Sequence, residues 1–121
     1  MKGVRPLSGQ KGSDPFFVVL VTCPSQAVAR RVAGRLIARR VAACVNIVPG
    51  LTSVYRWKGR VEHAREVLLI IKTTGGAFER LRREVLAAHP YEVPEVIAVP
   101  VVAGHAPYMR WVREGVRPRL A

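Results

Sequence analysis

The chain reads as an α+β domain of the ferredoxin-like kind, βαββαβ with a further C-terminal helix. Three observations predict this. Apolar segments follow one another in the order strand, helix, strand, strand, helix, strand, helix, judged by their repeat along the 121 residues. The two middle strands meet at Lys58-Gly59, a tight-turn signal that makes them a hairpin. Hydrophobic types make up 50% of the chain, enough for one packed core in a chain of single-domain length. Two βαβ-type halves joined by a hairpin give an antiparallel four-stranded sheet with helices on one face.

Each segment has its own reason. Phe16 to Thr22 is a short, β-branched run closed by Cys23-Pro24, which predicts a central strand. Ser25 is placed to cap the next helix by accepting a backbone N–H bond. From Gln26 to about Arg40 the apolar residues Val28, Ala29, Val32, Ala33, Leu36 and Ile37 share one arc of a helix. Ala43 to Val48 is a second strand, with a bulge or bend expected at Pro49-Gly50 before it resumes through Leu51 to Trp57. Arg60-Val61 begins the return, and Glu66 to Thr73 carries Val67 to Ile71, read as buried on both faces. Gly75-Gly76 opens a second helix over Ala77 to Ala88, with Phe78, Leu81, Val85 and Leu86 as its stripe. His89-Pro90 ends it, because a residue before proline avoids the helical region. Val96 to Val102 is a fourth strand, moved towards an edge by Pro100. Pro107 suits the first turn of a last helix ending near Gly115, with Tyr108, Trp111 and Val112 as its expected apolar face.

Strands that read as continuous apolar runs need cover on both faces. The helices of so small a chain cover one. The long hairpin, with Tyr55 and Trp57 near its tip, also projects beyond the domain. Both features argue for self-association.

Composition narrows the function classes. The longest apolar runs, Phe16 to Val21 and Val67 to Ile71, fall far short of the ~18 residues that span a bilayer. Two cysteines, Cys23 and Cys44, are too few for a disulfide framework, and residues 1–14 have no apolar secretory core, so a cytoplasmic protein with reduced thiols is expected. Residues 1–14 read as a flexible tail and 15–121 as a single domain. Twenty Lys and Arg against eight Asp and Glu give a net charge of +12, which keeps polyanions in view as partners.

Few motifs carry chemistry. The P-loop, the dinucleotide fingerprint, the zincin helix and the CxxC pair are all absent. The densest polar cluster is His89-Pro90-Tyr91-Glu92-Val93-Pro94-Glu95, where an imidazole and a carboxylate on stiff backbone suit Cu(II) or another divalent transition ion. Cys23 sits between a strand end and a helix start, a place that lowers a thiol pKa, and is a candidate soft ligand. Cys44 is expected in the core. His63 and His105 are expected in solvated loops, and nothing in the spacing pairs a cysteine with a histidine for hydrolysis. Gly75-Gly76 before a helix is a weak anion-seat signal.

Four blocks, Val19 to Pro24, Ala42 to Gly59, Glu66 to Thr73 and His89 to Glu95, resemble the CutA family of divalent-cation tolerance proteins. The resemblance implies a subunit similar to nitrogen-regulatory PII proteins, a tight homotrimer locked by the long hairpin, and binding of divalent cations, chiefly copper, without catalysis. It implicates His89 and Glu95 as metal ligands. A second histidine found in some members is Ala88 here, and the metal-linked cysteine of some members falls at Val21, two residues before Cys23. Two other readings remain beside it. Arg56, Lys58 and Lys72 suit a PII-like sensor of a small anion or nucleotide at a cleft between subunits. Arg31, Arg35, Arg80 and Arg83 suit nonspecific nucleic-acid binding.

Overall fold

Strand β1 (Phe16–Cys23) lies inside a four-stranded antiparallel sheet whose order is β2 (Cys44–Trp57), β3 (Arg60–Thr74), β1, β4 (Ile97–Pro100). The computed structural model describes residues 14–116. The expected tail falls, apart from Asp14, outside those residues, as does Arg117-Pro118, a pair that the sequence marks as the stop of the last helix. Asp14 itself is held: its carboxylate accepts the Gly76 N–H at 2.7 Å and its carbonyl accepts from the Arg113 guanidinium at 2.8 Å.

Helix α1 (Gln26–Ala38) starts where Ser25 accepts the Val28 N–H at 3.2 Å, as its side chain predicts. Strands β2 (Cys44–Trp57) and β3 (Arg60–Thr74) form the hairpin. Its turn is set by positive φ at both Lys58 (51°) and Gly59 (78°), the twist that matches two right-handed strands. A register shift between Val48 and Leu51, with Gly50 at φ 82°, is the bulge expected at Pro49-Gly50; pairing continues through it. A single 3₁₀ turn, Gly75–Ala77, precedes α2 (Phe78–Ala88). Strand β4 (Ile97–Pro100) is a short edge strand paired to β1, shorter than Val96 to Val102. Helix α3 (Ala106–Gly115) ends the described chain.

Alternation along β1 and β3 divides the sheet. Val19, Val21 and Cys23 with Val67, Leu69 and Ile71 face α1 and α2, where Ala29, Val32, Leu36, Leu81 and Val85 complete the core. Thr73 is fully buried among them because its hydroxyl donates to the Val41 carbonyl at 2.7 Å. Two stripes are narrower than the sequence suggests: Ile37 and Leu86 are exposed, at the margin of their helical arcs.

The opposite face is covered at one end only. There α3 seats Met109 and Val112 on Phe16, beside Ala43 and Val101. Gly115 permits this approach, since a Cβ there would lie 2.9 Å from the Ala43 Cβ. The expected apolar face of α3 is therefore corrected: Val112 is inside, but Tyr108 and Trp111 point outward and stack on each other at 5.7 Å. The rest of this face is a row of paired apolar residues, Val48 with Leu68, Leu20 with Ile70 and Ile97, Val18 with Val99. Leu68 and Ile70 are thus half-buried, not buried on both faces.

Candidate functional site

Strand β4 pairs with β1 only as far as Leu20. Beyond it the outer edge of β1 is bare, and a backbone acceptor left unpaired in a buried place is costly. His89, the residue that ends α2, fills this gap. Its Nε2–H donates to the Thr22 carbonyl at 2.7 Å, and its Nδ1 accepts the Tyr91 N–H at 3.1 Å. The carbonyl partner fixes the tautomer, and the ring is only 7% exposed. The Tyr91 ring packs against it at 4.7 Å between centroids, and the Tyr91 hydroxyl donates to Glu66 Oε2 at 2.9 Å.

Glu66 is the hub. It opens the regular pairing of β2 with β3 after the bulge, opposite Leu51, and is buried. Cys23, paired with Val67 one residue further along β3, is fully buried. Burial first, and then the Glu66 charge, push its thiol up to about 11, against a smaller pull from Arg31. Burial and the hydrogen bond to Glu66 raise the Tyr91 phenol to about 12, with Tyr55 and Cys23 adding to the effect. Burial and Glu66 also push the Glu95 carboxyl above its ordinary value. Arg31 ties the corner together from α1, donating to the Ala88 carbonyl at 3.0 Å.

The three residues singled out from sequence, Cys23, His89 and Glu95, are therefore gathered at one end of the sheet, around a carboxylate that sequence reasoning missed. Glu66 looks like any acid heading a strand; only the bulge and Tyr91 reveal it. Tyr91, inside that polar segment, packs on the His89 ring and is also a donor. The activation expected for Cys23 is corrected: it lies between β1 and α1, but burial and Glu66 outweigh the helix and keep the thiol protonated at neutral pH. A protonated thiol and an imidazole with both nitrogens bonded do not form a nucleophile–base pair.

As ligands, these groups offer the sulfur, nitrogen and oxygen donors that a borderline transition ion takes. Their arrangement within one chain is not a finished metal cage. Among the described residues, no three His, Cys, Asp or Glu side chains converge as a ligand set. Each nitrogen of His89 already has a backbone partner.

The other candidates separate from this corner. Cys44 is half-buried rather than in the core. His63 is an exposed residue of β3 instead of a loop, and His105 precedes α3 as an exposed residue. The Gly75-Gly76 anion seat is filled by the chain's own Asp14 carboxylate. Lys72 bonds the Asn46 side-chain oxygen beside the apolar sheet face. Arg56 and Lys58 lie at the hairpin tip, with Lys58 over the Trp57 ring at 5.8 Å.

A ferredoxin-like sheet with a long bulged hairpin, and buried Cys23, Glu66 and His89 joined by Tyr91 at the strand ends, defines a small class of α+β subunits. The family model described as CutA1 divalent ion tolerance protein matches residues 17–115. The divalent-cation tolerance protein CutA of Thermus thermophilus is 55% identical over 97 residues, 80% of this chain and 94% of that protein. Human protein CutA is 49% identical over 94 residues, 78% of this chain but 52% of the longer human one. A crystal structure of CutA1 from Oryza sativa superposes with a TM-score of 0.85 at 45% identity, covering 88% of this chain and 98% of the rice one. The chain belongs to the CutA divalent-cation tolerance family.

Proposed function

We propose that this protein serves divalent-cation tolerance as a homotrimer that binds Cu(II) or another divalent cation at the Glu66 corner, without catalysis. The observation that carries this reading is that Cys23 and the His89–Glu95 segment, two separate stretches of chain, meet around one buried carboxylate, Glu66, which the segment reaches through the Tyr91 hydroxyl. Family membership gives the divalent cation its place in the reading. Because the groups are protonated or hydrogen-bonded when empty, binding displaces the Cys23 proton and the Tyr91 N–H from His89 Nδ1. The site is accordingly weak compared with a preformed cage. The half-covered row Val18, Leu20, Leu68, Ile70, Ile97 and Val99 supports the trimer, since neighbouring copies supply the missing layer. In keeping with the sequence, the setting is cytoplasmic; no helix of the described residues is long and apolar enough to cross a membrane.

Calorimetric titration with Cu(II) tests the site. Glu95→Gln, an exposed side chain that leaves the fold intact, is expected to weaken binding about tenfold or more, as loss of a ligand does. Equal affinity in wild type and Glu95→Gln, with His89→Ala also unchanged, would remove this corner from the metal chemistry.

A further inference from the structure

No Asp or Glu occurs between Asp14 and Glu62, yet α1 and the residue pair after it carry five arginines. Across the stretches 26–40 and 78–88, which hold α1 and α2, eight arginines face two glutamates. Both glutamates are spoken for within the layer: Glu84 takes Arg35 at 2.6 Å, and Glu79 takes Arg82 at 2.6 Å and Arg83 at 3.5 Å. The positive charge of Arg30, Arg31 and Arg39 has no acid partner among these ion pairs, and all three side chains are exposed.

The shape of the surface matters as much as its charge. The exposed residues of α1 between these arginines include the small Gly34 and Ala38 beside Ile37. Gly34 has open space around it out to 4 Å. A bulky polyanion can therefore approach the helix closely. No aromatic side chain is exposed on either helix. Stacking platforms for unpaired bases are thus missing, which favours a paired backbone over a single strand.

We propose that the α1–α2 layer binds the phosphate backbone of duplex nucleic acid, without sequence preference, through Arg30, Arg31, Arg39 and Arg83. The surface shares Arg31 with the Glu66 corner, through its bond to the Ala88 carbonyl, but needs no metal. Phosphate contacts of this kind are read as a salt dependence.

The test is fluorescence anisotropy with 20-base-pair DNA and RNA duplexes and a single-stranded 20-mer, in buffer with EDTA so that metal binding plays no part. Duplex binding at 50 mM KCl should fall on the order of 10²-fold by 200 mM, the loss that about four phosphate contacts give. The double variant Arg30→Gln, Arg39→Gln should bind about tenfold more weakly, with a salt slope smaller by about 2. A double variant of equal charge loss elsewhere, Arg60→Gln with Arg110→Gln, should bind like wild type. Binding of either duplex in this pattern supports the proposal, and the tighter one identifies whose backbone it fits. Absence of binding at 50 mM KCl, equal loss in the two double variants, or tighter binding of the single strand would overturn it.

Discussion

His89 shows how one side chain closes an edge. With β4 stopping at Leu20, the Thr22 carbonyl needs a donor, and Nε2–H is that donor. Removing it leaves a largely buried acceptor unpaired, which costs roughly 1–3 kcal/mol. His89→Ala should lose that much stability in denaturant titration; a loss under about 0.5 kcal/mol would mean that the edge is satisfied otherwise. Cys23 gives a pH signature. Its thiol titrates from about 11 in the fold against 9.0 when unperturbed, so the folded state keeps a proton that the unfolded state sheds. The stabilisation is complete below pH 9 and is lost as pH rises towards 11. Thermal melting should therefore fall more steeply between pH 8.5 and 10.5, on this account, than in Cys23→Ala, and parallel curves would contradict the buried, protonated thiol. His89, Glu95 and Cys23 could be picked from the sequence because their types and local spacing are unusual. Glu66 could not, because its role comes from a tyrosine 25 residues away.

Helical repeats placed α1, α2 and α3 correctly, but periodicity does not say how wide an arc the neighbours cover. Ile37 and Leu86 continue their stripes and still face solvent, because the sheet and the partner helix close only the middle of each arc. On α3 the error is larger. Tyr108 and Trp111 are three apart and apolar enough to suggest a buried face, whereas Met109, one position on, is the residue that reaches Phe16. The turn and bulge of the hairpin were plain in Lys58-Gly59 and Pro49-Gly50, since Gly50 and Gly59 take the positive φ that glycine accepts most readily. Gly34 is a helix-interior glycine with nothing near its missing Cβ. Gly34→Ala should stabilise the protein by about 0.5–1 kcal/mol. Its melting midpoint checks this, and a lowered midpoint would show that the outer face of α1 is not open.

For the molecule as a whole, two surfaces are unlike. The helix layer is basic, exposed and self-sufficient. The far side of the sheet is apolar, half-covered by α3, and bordered by a long unpaired β2 edge and by Ile97 and Val99 of β4. Such an edge and face invite pairing with a second copy. The sequence announced the uncovered face through its continuous apolar strands. It did not announce how little α3 would cover, because that depends on the direction in which the helix leaves the extended segment ending at His105. The account rests on three chains covering one another there. Sedimentation equilibrium of the full chain at micromolar concentration measures it directly. The predicted result is a single species at three times the 13.4 kDa chain mass; a stable species at the mass of one chain would contradict it.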